Sequence, residues 1–107
     1  MTIRTDFGIY KGVYFKVGKY RADNSLAIQA WNDTDGPIAT LTVCLDKSGM
    51  LENESFVDTN NCPWVVELIE KEKLGEIVGF SISGYCTYPL VKFDMEQIKK
   101  HEREVQA

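Results

Sequence analysis

Apolar and polar positions alternate through the first half of the chain with the period of two that is typical of half-buried β-strands. The runs that carry this pattern are residues 9–20, 26–31 and 38–45. Short polar segments separate them, and Asn24 and the Asn32–Pro37 segment supply residue types that favour turns. The pattern therefore predicts an antiparallel meander of three strands. Residues 1–8 are weakly patterned and are expected to form a loosely held arm or a short edge strand.

The spacing of apolar residues becomes helical after a dense cluster of turn-forming residues at 58–61. Trp64, Val65, Leu68 and Ile69 form an apolar stripe along one helix face. We expect Pro63 at the first helical position, where its missing N–H costs nothing, and this places Cys62 near the N-cap. Leu74 and Gly75 are expected to close the helix, with the glycine just beyond its end. Phe56 and Val57 precede the cluster as a short candidate strand.

Two further strands are predicted at 76–82 and 85–91, around a hairpin turn at Ser83 and Gly84. Pro89 cannot donate to a strand ladder, which predicts an edge or bulged position for the second strand. Asp94 is a predicted N-cap of a last helix, with Gln97 at the third helical position. The element order is β-β-β-α-β-β-α. The sequence thus predicts a single α+β domain over residues 1–107, with an antiparallel sheet of about five strands and two helices.

Composition narrows the classes of partner. The chain has 107 residues, 16 acidic and 12 basic side chains, and a net charge of −4. This balance argues against binding a nucleic-acid backbone over a broad surface, and it leaves open a partner with a basic surface. No signal peptide or membrane-spanning run is recognised, and three cysteines are an odd number best interpreted as reduced thiols. We therefore expect a cytoplasmic protein without a membrane partner.

No residue pattern indicates a cofactor site or a known reaction. Cys44, Cys62, Cys86 and His101 are scattered and lack the clustered spacing of zinc ligands, so no metal is expected. Cys62 is the candidate nucleophile, because a helix N-terminus favours a thiolate, but catalysis also needs a base within reach. A packed structural thiol is the simpler interpretation.

Three blocks of the chain resemble a family of small domains of unknown function carried on conjugative elements, plasmids and prophages of Firmicutes and gut bacteria. The blocks are Ala39–Leu45, Phe56–Trp64, and Ser83–Leu90 with Phe93 and Asp94. The Thr59–Trp64 run is the most specific part of the match. Some similar proteins look like anti-CRISPR inhibitors of type II RNA-guided nucleases.

The resemblance implies a non-enzymatic anti-CRISPR protein in the cytoplasm of a bacterial host. Its partner would be a CRISPR effector nuclease or the guide-RNA complex of that nuclease. Acidic residues in two predicted loops are the candidate partner-binding positions, although solvated loop charges explain them equally well: Asp33, Asp35, Asp46, Glu52 and Glu54. The alternatives are a thiol-dependent enzyme centred on Cys62 and an anti-restriction or conjugation accessory protein.

Overall fold

The computed structural model describes residues 1–45 and 50–102, which form nine β-strands and two α-helices. The strands are β1 (Ile3–Thr5), β2 (Gly8–Tyr10), β3 (Tyr14–Lys19), β4 (Leu26–Asn32), β5 (Gly36–Thr40), β6 (Thr42–Val43), β7 (Glu54–Val57), β8 (Gly75–Ser83) and β9 (Cys86–Phe93). The helices are α1 (Val65–Lys71) and α2 (Met95–His101). Every pairing between these strands is antiparallel, so the α+β class is confirmed.

The strands form three sheets, and the prediction of one sheet with about five strands is wrong. The orders are β1–β2, β3–β4–β5 and β6–β7–β9–β8. The predicted meander is confirmed as β3–β4–β5, but its first run divides, because Gly8–Tyr10 forms β2 and pairs with β1 in the first sheet. The third run divides at Leu41, whose N–H donates to the Ile28 carbonyl at 2.9 Å and whose carbonyl accepts from Asp58 N–H at 2.8 Å. The chain leaves the second sheet at this residue and joins the third.

The core lies between the two larger sheets and the helices. Its fully buried side chains come from every layer and include Phe15, Ile28, Leu41, Val57, Val65, Leu74, Val91, Phe93 and Ile98. Helix α1 buries Val65, Leu68 and Ile69, which confirms the predicted apolar stripe. Trp64 is only partly buried and packs against the edge of this core.

Both predicted ends of the first helix are displaced. Trp64 is its N-cap, so Pro63 lies in the preceding turn and not at the first helical position. At the other end Leu74 N–H donates to the Ile69 carbonyl at 2.9 Å, and Lys73 takes a left-handed φ of 56°. This is the Schellman arrangement, with lysine where glycine is usual. Gly75 starts β8 instead, and any Cβ there would overlap the backbone carbonyl of Lys92.

The predicted β8–β9 hairpin is confirmed, with Gly84 at φ 61° in its two-residue loop. The inference from Pro89 is wrong, because β9 lies between β7 and β8 and the register irregularity falls in β8. Pairing with β7 stops at Leu90, so the missing N–H of Pro89 falls just past the end of that ladder.

The start of α2 is as predicted. The Asp94 carboxylate accepts from Glu96 N–H at 3.1 Å and from Gln97 N–H at 3.4 Å. Gln97 does not reach back to complete a capping box, since its side-chain amide donates to the Glu72 carbonyl at 3.4 Å. The residue therefore ties α2 to the end of α1.

Candidate functional site

The turn between β4 and β5 holds two of the predicted partner-binding residues in an ordered arrangement. Asn32, only 5% exposed, donates its side-chain N–H to Asp35 Oδ2 at 3.0 Å and to the Lys11 carbonyl at 3.2 Å. The amide oxygen of Asn32 accepts from Asp35 N–H at 2.6 Å. The buried side-chain amide of Asn32 thus fixes the conformation of the turn, on which Asp33 and Asp35 are exposed.

The second predicted acidic group lies elsewhere. Glu52 is exposed, and Lys19 Nζ donates to the Glu52 carbonyl at 3.0 Å. Glu54 begins β7, and its carboxylate accepts from Leu51 N–H at 2.9 Å. Asp46 lies outside the described residues.

The two groups lie near opposite ends of β4. Lys19 pairs with the first residue of β4, whereas the Asn32 turn follows the last. The seven residues of β4 therefore separate Glu52 from Asp33 by about 20 Å. Either loop can contact a partner without the other, and the role of all five residues stays a prediction.

Cys62 occupies a different environment from the one expected. Helix α1 begins three residues later, and the Cys62 carbonyl accepts a hydrogen bond from Val65 N–H at 3.0 Å. The thiol is 4% exposed and donates to the Thr40 carbonyl at 3.6 Å. Burial, together with the nearby charges of Asp58 and Asp6, raises the pKa of the Cys62 thiol from 9.0 to about 11. At that pKa only about one molecule in ten thousand carries a thiolate at pH 7.

His101 is half-buried, and its contacts do not place it beside Cys62 as a base. Its ring packs edge-on against Phe15, with centroids 6.0 Å apart, and its Nε2 lies 3.9 Å from Glu72 Oε2. Within residues 1–45 and 50–102, no three potential metal-ligating side chains lie close enough together to hold an ion. His101 therefore acts as a structural link between β3, α1 and α2.

The sequence pattern did not predict the exposed apolar edge of the β8–β9 hairpin. Phe80 is 67% exposed, Ile82 is 71% exposed, and Tyr85 at the hairpin turn is fully exposed. Alternation did mark this segment as a strand, but a period of two cannot tell which face lies outward or whether the strand lies at a sheet edge. Strand β8 ends the order of its sheet.

A groove of about 770 Å³ between α1, the start of β8 and the start of α2 was also not predicted. Acidic side chains line it together with two lysines: Glu70, Glu76, Asp94, Glu96, Lys73 and Lys92. The lining therefore carries four acidic and two basic side chains.

Neither of the described helices is long and apolar enough to cross a lipid bilayer. Searches among curated proteins and among solved structures find no match to the chain. A family profile does match, from residue 14 to residue 106, and so covers the two larger sheets and both helices. The expected membership in a family of unknown function is thereby confirmed: the chain belongs to the DUF4313 family, a domain of unknown function.

Proposed function

We propose that this domain is a non-enzymatic anti-CRISPR protein encoded on a mobile element. It would inhibit a type II RNA-guided nuclease by binding the effector or by hindering its assembly with guide RNA. The observation that carries the proposal is the ordered acidic turn, in which buried Asn32 holds Asp35 and in which Asp33 and Asp35 are exposed. The class of partner is what the resemblance of the three blocks implies, since some proteins similar to that family look like inhibitors of this kind.

A fixed acidic turn suits a basic docking surface. Effectors of this type hold guide and target strands in a positively charged channel, and acidic side chains can occupy such a surface in place of phosphates. Binding then loses less conformational entropy, because the turn is already ordered by its side-chain hydrogen bonds. The net charge of −4 adds long-range attraction to the same surface.

The thiol enzyme is the weaker alternative. A nucleophilic cysteine needs an accessible thiolate and a base, whereas the Cys62 thiol is buried with a raised pKa and the ring of His101 packs against Phe15. Burial explains the cysteine as a core residue. We therefore do not propose catalysis at this position.

The experiment mixes the purified domain with a type II effector before and after guide RNA is loaded, and measures both complex formation and DNA cleavage. The informative variant is Asp33→Asn with Asp35→Asn, since each amide keeps the shape of the carboxylate and the one at residue 35 keeps an oxygen for Asn32. The matched control is Glu67→Gln with Glu70→Gln, which removes two charges from exposed positions on α1.

We expect the turn variant to weaken binding by roughly tenfold and to reduce the salt dependence of binding, and the α1 control to bind like the parent chain. Equal inhibition by both variants would exclude the acidic turn as the docking site. No complex and no loss of cleavage, with or without guide RNA, would rule out the proposal as a whole.

A further inference from the structure

The outer edge of β8 has the chemistry of a strand that pairs with another strand. It ends the four-stranded sheet, so one row of its backbone N–H and C=O groups faces away from β9. Edge strands that must stay unpaired usually carry charges or proline. The segment Gly79–Ser83 carries neither, and the register irregularity of β8 lies before it, between Ile77 and Gly79.

The register of the hairpin fixes which backbone groups point outward. Ser83 pairs with Cys86 across the two-residue loop, and such a turn is closed by a hydrogen bond between those residues. Hydrogen-bonded and non-hydrogen-bonded pairs alternate in an antiparallel ladder. Ser83 and Ser81 therefore bond inward to β9, and the N–H and C=O groups of Phe80 and Ile82 point outward.

We propose that β8 pairs antiparallel with β8 of a second copy of this chain, about a two-fold axis at Ser81. In that register Phe80 lies opposite Ile82 of the second copy, and Ile82 lies opposite Phe80. These are the residues whose backbone groups are free on this edge, so the two strands exchange hydrogen bonds without changing either hairpin. The two four-stranded sheets become one sheet of eight strands.

The side chains are self-complementary in the same register. Phe80 and Ile82 lie on the face that carries Pro89 and the fully buried Val91, so the four apolar side chains of the two copies extend the existing core across the interface. Aromatic and β-branched residues are favourable cross-strand partners. The other face holds only Gly79, Ser81 and Ser83, and no like charges oppose each other within the paired segment.

The exposed surface of this edge is close in area to one side of a standard interface. In the register with its two-fold axis at Ser81, Ile77 of one copy lies near Tyr85 of the other. The exposed parts of Ile77, Val78, Phe80, Ile82 and Tyr85 amount to roughly 700 Å² per copy, close to the area that each partner buries in a standard interface.

Sedimentation of the full chain from about 1 µM to about 1 mM measures the association, because this range covers weak and moderate dimers. We expect Phe80→Lys to raise the dissociation constant of the dimer by roughly a hundredfold, since the interface loses the two Phe80 rings at its centre and gains two charges. Ile82→Pro removes an outward N–H that β9 does not use and should also abolish dimers while the circular dichroism spectrum persists. Ile9→Lys changes an exposed residue of β2 and should leave association unchanged.

A cysteine tests the register independently. Ser81 faces its own copy across the two-fold axis, so Ser81→Cys should form a cross-linked dimer under mild oxidation, whereas Ser83→Cys should not exceed the background of the parent chain. Preferential cross-linking through Ser83→Cys would overturn this register. A chain that stays monomeric throughout the range would overturn the dimer. So would a monomer whose binding to another protein is lost in Phe80→Lys, because β8 would then pair with that protein.

Discussion

The Tyr20 hydroxyl lies 3.0 Å from the Thr42 hydroxyl and 3.1 Å from the Thr42 carbonyl. Tyr20 follows β3, and Thr42 begins β6, so the contact joins the second sheet to the third close to the crossing at Leu41. The Thr42 hydroxyl also accepts from the buried Ile28 N–H at 3.1 Å. Thr42 is 2% exposed, which places these hydrogen bonds at the edge of the core.

Two substitutions distinguish the parts of this link. Tyr20→Phe removes the contacts of the Tyr20 hydroxyl with the Thr42 carbonyl and hydroxyl and should lower the free energy of unfolding by about 1 to 2 kcal/mol. Thr42→Val should cost about 2 to 3 kcal/mol, because it also leaves the Ile28 N–H buried without an acceptor. Urea denaturation measures both. Tyr85→Phe, at a fully exposed ring, serves as the control, and an equal effect of all three variants would contradict the link.

The crossing also shows why local pattern located the strands but not the sheets. Alternation continues through Leu41, so residues 38–45 look like one strand, and nothing in the spacing marks the corner. The corner depends on Ile28 and Asp58, which supply its hydrogen-bond partners from 13 residues before and 17 residues after Leu41. Tertiary pairing of this kind cannot be predicted from the segment itself. Asp94, whose capping partners are two and three residues away, was placed correctly for the same reason.

The candidate site likewise has features that follow from local sequence and features that depend on distant parts of the chain. Turn chemistry predicted that Asp33 and Asp35 would be exposed, because Asn and Asp residues favour such turns through local hydrogen bonds. The separation of Glu52 from that turn follows from the full length of β4 and from the position of Lys19, which are long-range features. The exposed edge of β8 depends on the strand order of the third sheet and was likewise beyond the sequence pattern.

A close approach between β8 and β9 predicts a large difference between two glycines of the same strand. A side chain at Gly75 would overlap the backbone of Lys92 and Phe93, which cannot move without disturbing the ladder, so Gly75→Ala should cost about 3 kcal/mol. At Gly79 the nearest atoms belong to the Leu90 side chain, 3.8 Å away. Gly79→Ala should therefore change the free energy of unfolding by less than about 0.5 kcal/mol. Similar losses at both positions would contradict this difference in space.

The end of α1 offers a stabilising substitution. Lys73 holds a left-handed φ of 56°, a conformation that costs an L-residue roughly 1 kcal/mol and costs glycine little. Lys73→Gly should raise the free energy of unfolding by about 1 kcal/mol, because the Schellman hydrogen bonds to Glu70 and Ile69 need only backbone atoms. Lys73→Ala removes the same charge and keeps the strain, so it should give no gain. A thermal melt of the three proteins would show whether conformation or charge is responsible.

The buried thiol predicts how stability depends on alkaline pH. The pKa of Cys62 is about 11 in the folded chain and returns to about 9.0 on unfolding, because burial and the charges of Asp58 and Asp6 disfavour the thiolate. Between these values the folded state binds more protons than the unfolded state, so stability falls as pH rises. Below pH 9 the thiol is protonated in both states, so its contribution to the free energy of unfolding is fully present. By pH 11 about 2 to 3 kcal/mol should be lost through this group. Burial also raises the pKa of Tyr20, which acts in the same direction.

Cys62→Ala isolates the contribution of the thiol. The variant should be less stable at pH 7, since it leaves a small cavity in the core, but its stability should decline less steeply than that of the parent between pH 9 and pH 11. Cys44→Ala, at a partly exposed cysteine, should retain the steep decline. Denaturation at a series of pH values measures the slopes. Parallel declines in the parent and in Cys62→Ala would mean that Cys62 ionises as readily in the folded chain as in the unfolded one, and a reactive thiol at this position would have to be reconsidered.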